Sequence, residues 1–172
     1  MIENGLLILI RPAEAAELPL LARIERRAAR LFSPADLPSA LSEHTLPAET
    51  LSAARDAGLL WVADDAGLPV GFALAEILDG QLHLAEMDVD PDHARRGIGS
   101  ALLRHTLAQA RPRGCAAVTL TTFAHLPWNA PFYRRHGFME FEPPAGSALA
   151  DLLRAEAEAG LRNRVAMRRA QA

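Results

Sequence analysis

Hydrophobic and polar positions follow regular periods along most of the chain, and these periods predict a mixture of helices and strands. Apolar residues spaced three or four positions apart predict helices over residues 13–31, 48–57, 97–111, 131–136 and 147–159. Alternating or β-branched apolar runs predict strands over residues 6–11, 81–89, 115–123, 138–141 and 163–168, with two more inside 59–78 on either side of Asp65-Ala66-Gly67. The segment 33–47 contains three prolines, which predict a loop or short helical turns.

The first predicted helix is expected to begin after Pro12, because proline is tolerated in the first turn of a helix. Its expected apolar stripe consists of Leu20, Ile24, Ala28 and Leu31. A second stripe, interleaved with Glu25, consists of Arg23, Arg26, Arg27 and Arg30. We interpret this arginine stripe as solvated surface, with contact to an acidic acceptor or partner as the alternative.

The order of these elements predicts a mixed α/β fold in a single domain, residues 1–172. A strand, a helix and a second strand follow one another over residues 82–123. A crossover through a helix joins parallel strands, so these two strands are expected to pair in parallel. The final strand is expected to be available for pairing in a possible homodimer.

Composition excludes several classes of protein. The formal charge of −3 gives no general attraction to nucleic acid or anionic membranes. No run approaches the ~18 apolar residues of a membrane span, and the apolar run at 6–10 is short for a signal segment, so we expect a cytoplasmic protein. All eighteen basic residues are arginine, which excludes lysine catalysis, and the single cysteine, Cys115, excludes an internal disulfide.

A loop rich in glycine and arginine is the strongest functional signal in the sequence. Asp90-Pro91 ends the strand before it, and the segment "ARRGIGSALL" leads from Ala94 into an apolar helix. A helix N-terminus presents unpaired N–H groups and partial positive charge, and glycines let an anion approach them closely. Residues 95–100 therefore predict a pyrophosphate site, although a tightly packed turn would produce the same pattern.

Two common phosphate-binding motifs do not fit this loop. A P-loop requires a lysine, and the chain has none. A dinucleotide-binding fingerprint requires a third glycine where this chain has Leu102, and an acidic residue in the next strand, where "CAAVTLTTF" has none.

Two segments resemble motifs of the GNAT (Gcn5-related) N-acetyltransferases. "VDPDHARRGIGSALL" resembles the family pattern [QR]-x-x-G-x-[GA], and "APFYRRHGF" resembles a later motif with a tyrosine four residues before Gly-Phe. The resemblance is strong over residues 70–141 and implies a mixed, mostly antiparallel twisted sheet with a central parallel strand pair. The chain departs from the family at Ala94, where a Gln or Arg is usual, and at Leu126, where many relatives have an asparagine.

The resemblance also implies a cosubstrate, acetyl-CoA, and residues that bind it. Its pantetheine would pair with backbone around Asp88, at Met87 and Val89, and Asn129 is a candidate replacement for the family's asparagine. Its pyrophosphate would lie on Arg95, Arg96, Gly97, Ile98, Gly99 and Ser100. Tyr133 would donate a proton to the departing thiolate, and the acetyl group would pass directly to the acceptor in a ternary complex.

Amide formation also requires a base, because only a neutral amine attacks a thioester. Strand alternation places Glu86 on one face with Asp88, Leu82 and Leu84. Glu86 is the leading candidate for the base or for holding the ammonium, and Asp88 is the substitute. A solvated strand-end carboxylate is the alternative interpretation for Glu86. His125, which follows the next strand, is interpreted as a loop residue without catalytic role, with a place in the lining of the binding cleft as the alternative.

We therefore expect an acetyl-CoA-dependent N-acetyltransferase that acts on an amine, without a metal. A non-catalytic acyl-CoA-binding sensor and a nucleotide-binding α/β module are the rival functions. The acceptor is expected to depend on residues 33–47 and 123–128.

Overall fold

The computed structural model describes residues 7–171, which form seven strands and six α-helices. The strands are β1 (Ile8–Pro12), β2 (Leu60–Asp65), β3 (Leu68–Leu78), β4 (Gln81–Val89), β5 (Ala117–Phe123), β6 (Met139–Phe141) and β7 (Arg164–Ala170). The helices are α1 (Leu18–Ala29), α2 (Ser39–Ser42), α3 (Ala48–Asp56), α4 (Ile98–Ala110), α5 (Ala130–Arg135) and α6 (Ala148–Glu158). Short 3-10 turns occupy Ala15–Glu17, Pro91–His93 and Arg111–Arg113.

The seven strands form one sheet in the order β1-β2-β3-β4-β5-β7-β6. β1 and β2, β2 and β3, β5 and β7, and β6 and β7 pair antiparallel, whereas β4 and β5 pair in parallel. The parallel register joins residues 82–84 to residues 118–120. The predicted mixed, mostly antiparallel sheet with one parallel pair is confirmed.

The chain forms two compact units. Among the described residues, the first unit consists of 7–31, Ser42–Ala75 and Glu86–Thr106, and the second consists of Phe32–Leu41, Glu76–Ala85 and 107–171. β3 and β4 each contribute residues to both units.

The core of the first unit joins helix α1 to strands β2 and β3. Leu21 and Ile24 of α1 are buried in one cluster with Leu60, Val62 and Phe72. The predicted hairpin forms as expected, because Ala66 and Gly67 both take the left-handed conformation, with φ of 54° and 91°. This two-residue turn matches the twist of antiparallel strands.

The second unit contains helix α6 and strand β7. Ser147 caps α6 by accepting a hydrogen bond from the Ala150 N–H at 3.2 Å. Glu156 of α6 accepts hydrogen bonds from the Thr121 hydroxyl at 2.7 Å and from the Arg164 Nε at 3.0 Å. This network joins α6 to β5 and β7, in addition to the cap at the N-terminus of the helix.

The start of the first helix was predicted wrongly. Pro12 belongs to β1, where it is the register partner of Trp61, and α1 begins at Leu18 with Pro19 in its first turn. Proline suits either a first helical turn or an edge strand, and β1 is an edge strand. Leu6, predicted in the first strand, lies outside the described residues.

The apolar stripe of α1 was also predicted only in part. Leu21, Ile24 and Ala28 are buried, whereas Leu20 is half-buried and Leu31 is 55% exposed. The helix ends at Ala29, before Leu31, so that residue does not belong to the buried face.

The final strand is not an open edge. β7 lies between β5 and β6, and its residues 166–168 pair on both sides within the chain. Strand pairing through β7 in a homodimer therefore has no support from this sheet.

Within residues 7–171 no helix is long and apolar enough to cross a membrane. Over the same residues, no group of three or more His, Cys, Asp or Glu side chains is arranged to hold a metal ion.

Candidate active site

The turn that leads into the glycine-arginine loop is held by an aspartate. Asp90 follows β4 directly, and its N–H donates to the Val70 carbonyl at 2.8 Å. Its carboxylate oxygen Oδ1 accepts the Asp92 N–H at 2.9 Å and so caps the short 3-10 turn. The path of the chain into the loop is therefore set by Asp90.

The loop itself contains two residues in an uncommon backbone conformation. Arg95 and Gly97 both have left-handed backbones, with φ of 61° and 76°. Left-handed residues beside right-handed ones turn successive N–H groups toward one point, which makes a concave site for an anion. A Cβ atom at Gly97 would meet no atom within 4 Å, so there is open space in front of this residue.

Helix α4 starts at the end of this loop. Ile98 is 2% exposed and anchors its first turn in the core of the first unit, together with the buried Leu102. The first N–H groups of a helix lack intrahelical partners, and the helix dipole adds partial positive charge. Gly99 and Ser100, both half-buried, lie in this turn.

The two arginines of the loop have different surroundings. The Arg96 guanidinium donates from Nη1 to Oδ2 of Asp65, at the end of β2, over 3.0 Å. Arg95 is exposed. Both residues are exposed, and the ion pair of Arg96 with Asp65 connects the loop to the β2–β3 hairpin.

The end of β4 brings together two of the predicted carboxyl groups, those of Glu86 and Asp88, which we call the carboxyl pair. Oδ2 of Asp88 is enclosed and has no hydrogen-bond partner among residues 7–171. Burial, followed by the charges of Glu86 and Glu25, raises the pKa of Asp88 well above its usual value. Asp88 therefore keeps its proton to a higher pH than an ordinary aspartate does.

Glu25 of α1 is a third carboxyl group beside this pair. Both of its oxygens accept the Leu46 N–H, at 2.9 and 3.1 Å. Burial raises the pKa of Glu25, while the Leu46 hydrogen bond and the Arg26 charge oppose the rise. Glu25 thus connects the carboxyl pair to the end of the segment 33–47.

Met87 and Val89 are the neighbours of Asp88 on β4 and both are half-buried. They follow the last residue of β4 that is paired with β5, Leu84. The Asp88 carbonyl lies against the backbone of β3, because a Cβ at Gly71 would be 2.9 Å from that oxygen.

Tyr133 and Asn129 lie in the second unit, at helix α5. Tyr133 is buried, and its ring is packed edge-on against Phe132 and Phe138, with centroid distances of 5.1 and 5.8 Å. Asn129 precedes the helix, and its Oδ1 is enclosed without a hydrogen-bond partner in the described part of the chain. Gly137, with φ of 83°, ends the helical turn as the sequence predicts.

The two segments expected to determine the acceptor contact each other in the second unit. His125 Nε2 lies 2.7 Å from Oδ1 of Asp36, whose Oδ2 accepts the Ser33 hydroxyl at 2.8 Å. These two partners lower the pKa of Asp36, with the Ser33 hydrogen bond first. The Phe32 ring also packs against aromatic residues of the other segment, Phe123 at 5.5 Å and Trp128 at 6.1 Å between centroids.

Sequence reasoning missed three of these residues. Arg27 was interpreted as part of a solvated stripe, yet it binds Asp90 and Asp92. Glu25 binds the Leu46 N–H, 21 residues away, and Asp36 contacts His125, 89 residues away, in addition to its neighbour Ser33. For Arg27, the one weak indication of a partner within the protein was its position on the helix, one turn from the buried Ile24.

Comparison with known proteins gives the family. A model of the acetyltransferase (GNAT) family matches residues 22–138, about two thirds of the chain, including the whole loop, the end of β4 and Tyr133.

Two curated relatives are similar to parts of the chain. Mycothiol acetyltransferase from Clavibacter michiganensis subsp. michiganensis is 40% identical over 89 residues, which cover 49% of this chain and 28% of that protein. [Ribosomal protein bS18]-alanine N-acetyltransferase from Escherichia coli K12 is 32% identical over 74 residues, which cover 43% of this chain and 50% of that protein. The matched region thus spans half or less of each relative.

Solved structures share the fold over nearly the whole chain. PaiA N-acetyltransferase from Thermoplasma acidophilum, in complex with coenzyme A, has a TM-score of 0.71 at 17% identity and covers 96% of this chain and 99% of that one. Ribosomal-protein-S18-alanine N-acetyltransferase from Escherichia coli has a TM-score of 0.67 at 21% identity, covering 94% and 92%. The matching family model and this shared fold agree, and the chain belongs to the GNAT acetyltransferase family.

Proposed function

We propose that the chain, as a single domain over residues 1–172, transfers the acetyl group of acetyl-CoA to an amine acceptor. The observation that carries the proposal is the loop before α4, with left-handed Arg95 and Gly97 and open space at Gly97. This arrangement suits a diphosphate, and the family to which the chain belongs consists of acetyltransferases.

Several residues fit acetyl-CoA as the cosubstrate. Backbone N–H groups of residues 97–100 and the Arg95 side chain would hold its diphosphate. The backbone of Met87 and Val89 would pair with its pantetheine arm. The enclosed Oδ1 of Asn129 has no hydrogen-bond partner among residues 7–171, which suits an atom that accepts from a ligand N–H.

The carboxyl pair at the end of β4 supplies the base. The acceptor arrives as an ammonium ion, which loses a proton before its nitrogen attacks the thioester carbonyl carbon. Glu86 or Asp88, directly or through water, takes this proton. Because the pKa of Asp88 is raised, the pair can exchange a proton closer to neutral pH than two ordinary carboxylates would.

Tyr133 supplies the acid. As the tetrahedral intermediate collapses, the carbon–sulfur bond breaks and the sulfur leaves with the bonding electrons. The phenol of Tyr133 donates its proton to this thiolate, and the phenolate is reprotonated from solvent. The attacking nitrogen releases its second proton to solvent, so the product is a neutral amide. Direct transfer from thioester to amine needs no covalent intermediate on the protein.

The test is an assay of the purified chain with acetyl-CoA and a panel of amines, in which mass spectrometry detects acetylated products. The panel contains small amines, peptide N-termini, lysine peptides and polyamines. We expect at least one acetylated product, and Tyr133→Phe should lower kcat while leaving the Kd for coenzyme A within about twofold.

Each rival function has its own outcome in this experiment. Coenzyme A binding with no turnover on any amine would indicate an acyl-CoA sensor. Thermal stabilisation by ATP or NAD, but not by coenzyme A, would indicate a nucleotide-binding module. Unchanged turnover in Tyr133→Phe would remove the acid role from this residue and leave the rest of the proposal in place.

A further inference from the structure

Arg27 on helix α1 bridges two aspartates at the entrance of the glycine-arginine loop. Its Nη1 donates to Oδ2 of Asp90 at 2.9 Å, and its Nη2 donates to Oδ2 of Asp92 at 2.7 Å. The Asp90 side chain is 13% exposed and that of Asp92 is 70% exposed, so one partner is buried and the other faces solvent. All three residues belong to the first unit.

The buried partner cannot move away from the loop. Oδ1 of Asp90 caps the 3-10 turn through the Asp92 N–H, and the Asp90 N–H is bonded to Val70. The other basic side chain beside this carboxylate in the described residues is that of His93, whose Nδ1 lies 3.8 Å from Oδ1, too far for a hydrogen bond. Arg27 is therefore the group that neutralises Asp90.

Two negative charges at this position oppose the binding of an anion. Asp90 and Asp92 lie five and three residues before Arg95, where the anion-binding loop begins. Coulomb repulsion between carboxylates and a diphosphate would lower affinity unless the carboxylates are neutralised. The Arg27 hydrogen bond also lowers the pKa of Asp92, so that carboxylate stays ionised and keeps its ion pair.

We propose that Arg27 is a positioning residue for the cosubstrate: its guanidinium fixes the turn at Asp90–Asp92 and cancels the charge that would repel the diphosphate. This inference rests on the proposed function, because it requires that residues 95–100 bind the diphosphate of coenzyme A. The sequence predicts that the whole arginine stripe is solvated surface, and this inference gives one of its members, Arg27, a specific role.

The planar fork of arginine is what the two aspartates require. Two nitrogens of one guanidinium reach two carboxylates at once, whereas a lysine ammonium is a single point of charge. Arg27→Lys should therefore restore part of the affinity lost in Arg27→Gln, by charge alone, without restoring all of it.

The experiment compares Arg27→Gln with Arg23→Gln, a matched control that removes an exposed arginine from the same helix. Calorimetry gives the Kd for coenzyme A, and the best amine from the panel gives steady-state constants. A second thioester, acetyl-pantetheine, lacks the diphosphate and serves as the internal reference. We expect Arg27→Gln to weaken coenzyme A binding about tenfold and to raise the KM for acetyl-CoA by a similar factor. The kcat, and the kcat/KM with acetyl-pantetheine, should stay within about twofold of wild type.

A charge-restoring variant separates this role from a merely structural one. In the Arg27→Gln background, Asp92→Asn removes one of the two unpaired carboxylates and should recover at least half of the lost binding free energy for coenzyme A. Arg23→Gln should bind coenzyme A like wild type.

Three results would overturn the inference. The first is an unchanged Kd in Arg27→Gln, and the second is an equal loss with acetyl-CoA and acetyl-pantetheine, which would mean a general distortion of the fold. The third is a failure of Asp92→Asn to recover any binding. A wild-type chain that does not bind coenzyme A at all would instead refute the proposed function, and the inference with it.

Discussion

His83 and Asp88 both lie on β4, and each buries a titratable group, yet their surroundings differ. His83, in the second unit, is 1% exposed, and its Nδ1 lies 3.0 Å from the Thr119 hydroxyl. Asp88, in the first unit, shares a hydrogen bond with Glu86, yet its enclosed Oδ2 has no hydrogen-bond partner in residues 7–171. Burial disfavours the charged form in both cases, so it lowers the pKa of His83 to about 4 and raises that of Asp88.

This difference separates a structural polar group from a candidate functional one. A buried hydrogen-bonded atom is compatible with the core, whereas an enclosed oxygen atom without a partner, such as Oδ2 of Asp88, costs free energy and requires an explanation. Glu86 and Glu25 add further negative charge around Asp88, and an ammonium ion is the group that would relieve it. The predictions below test this contrast between the two halves of β4.

The largest expected effect is on catalysis at the Asp88 end of the strand. Removing the proton acceptor, by Glu86→Gln or Asp88→Asn, should lower kcat by about 10²-fold or more in at least one of the two variants. Glu76→Gln, an exposed glutamate on β3, is the matched control and should retain wild-type kcat. Wild-type turnover in both variants at every pH would show that neither carboxyl group is the base.

The raised pKa of Asp88 also predicts how Asp88→Asn changes the free energy of unfolding. The folded-state pKa of Asp88 is raised, so its favourable contribution exists below the usual carboxyl pKa and is lost as the pH rises through the folded value. Asp88→Asn should therefore unfold at the same or a higher urea concentration than wild type at pH 8. A large loss of stability would mean that the carboxylate is needed for folding.

His83 should behave in the opposite way. Its folded-state pKa of about 4 lies below the ordinary value of 6.5, so the unfolded chain binds the proton more readily between these values. The free energy of unfolding should fall by roughly 3 kcal/mol as the pH drops from 6.5 to 4. His83→Gln should lack this component in urea unfolding at pH 7.5 and 4.5, and equal pH dependence in both proteins would contradict the assignment.

A smaller effect is expected from the close approach of β3 to Asp88. A Cβ at Gly71 would lie 2.9 Å from the Asp88 carbonyl oxygen, and the backbone must shift to accept it. Gly71→Ala should destabilise the protein by about 2 kcal/mol and lower activity by displacing the carboxyl pair. An unfolding midpoint and a kcat equal to wild type would show that β4 can move without consequence.

The smallest effect is expected from the partner of His83. Thr119→Val keeps the shape of the side chain but removes its hydroxyl, and should cost about 1 kcal/mol of folding free energy. Thr119→Ser retains the hydroxyl and is the control for the hydrogen bond. Neither variant should change the Kd for coenzyme A, since a change would place this half of β4 in the binding site.

Local sequence patterns predicted the elements that depend on local physics. The hairpin at Asp65-Ala66-Gly67 and the bounds of β4 are confirmed, because turn chemistry and side-chain alternation act between neighbours in the chain. Pro12 was assigned wrongly because proline is equally compatible with the first turn of a helix and with an edge strand. Pairing with Trp61, 49 residues away, decides between a strand and a helix.

The residues of the candidate site also divide into those that local sequence patterns predicted and those that only the structure revealed. Glycines at 97 and 99 and the two family motifs marked the loop and Tyr133 from residue types alone. The ion pairs of Arg27 and the hydrogen bond of His125 with Asp36 span 63 to 89 positions, and no spacing rule reaches that far. The residues that the sequence predicted are thus marked by their neighbours in the chain, whereas the missed residues are marked by partners that are distant in sequence.

By itself, the sequence predicted the fold class from periodicity and the family from two short motifs, and the structure and the family model confirm both. The same motifs indicated acetyl-CoA as the cosubstrate, which stays a proposal. Tertiary structure decided which charges neutralise one another, which oxygen atoms lack partners and which pKa values shift. Those properties depend on distance and burial, which folding sets by bringing Arg27 to Asp90 and by enclosing Asp88 beside Glu86 and Glu25.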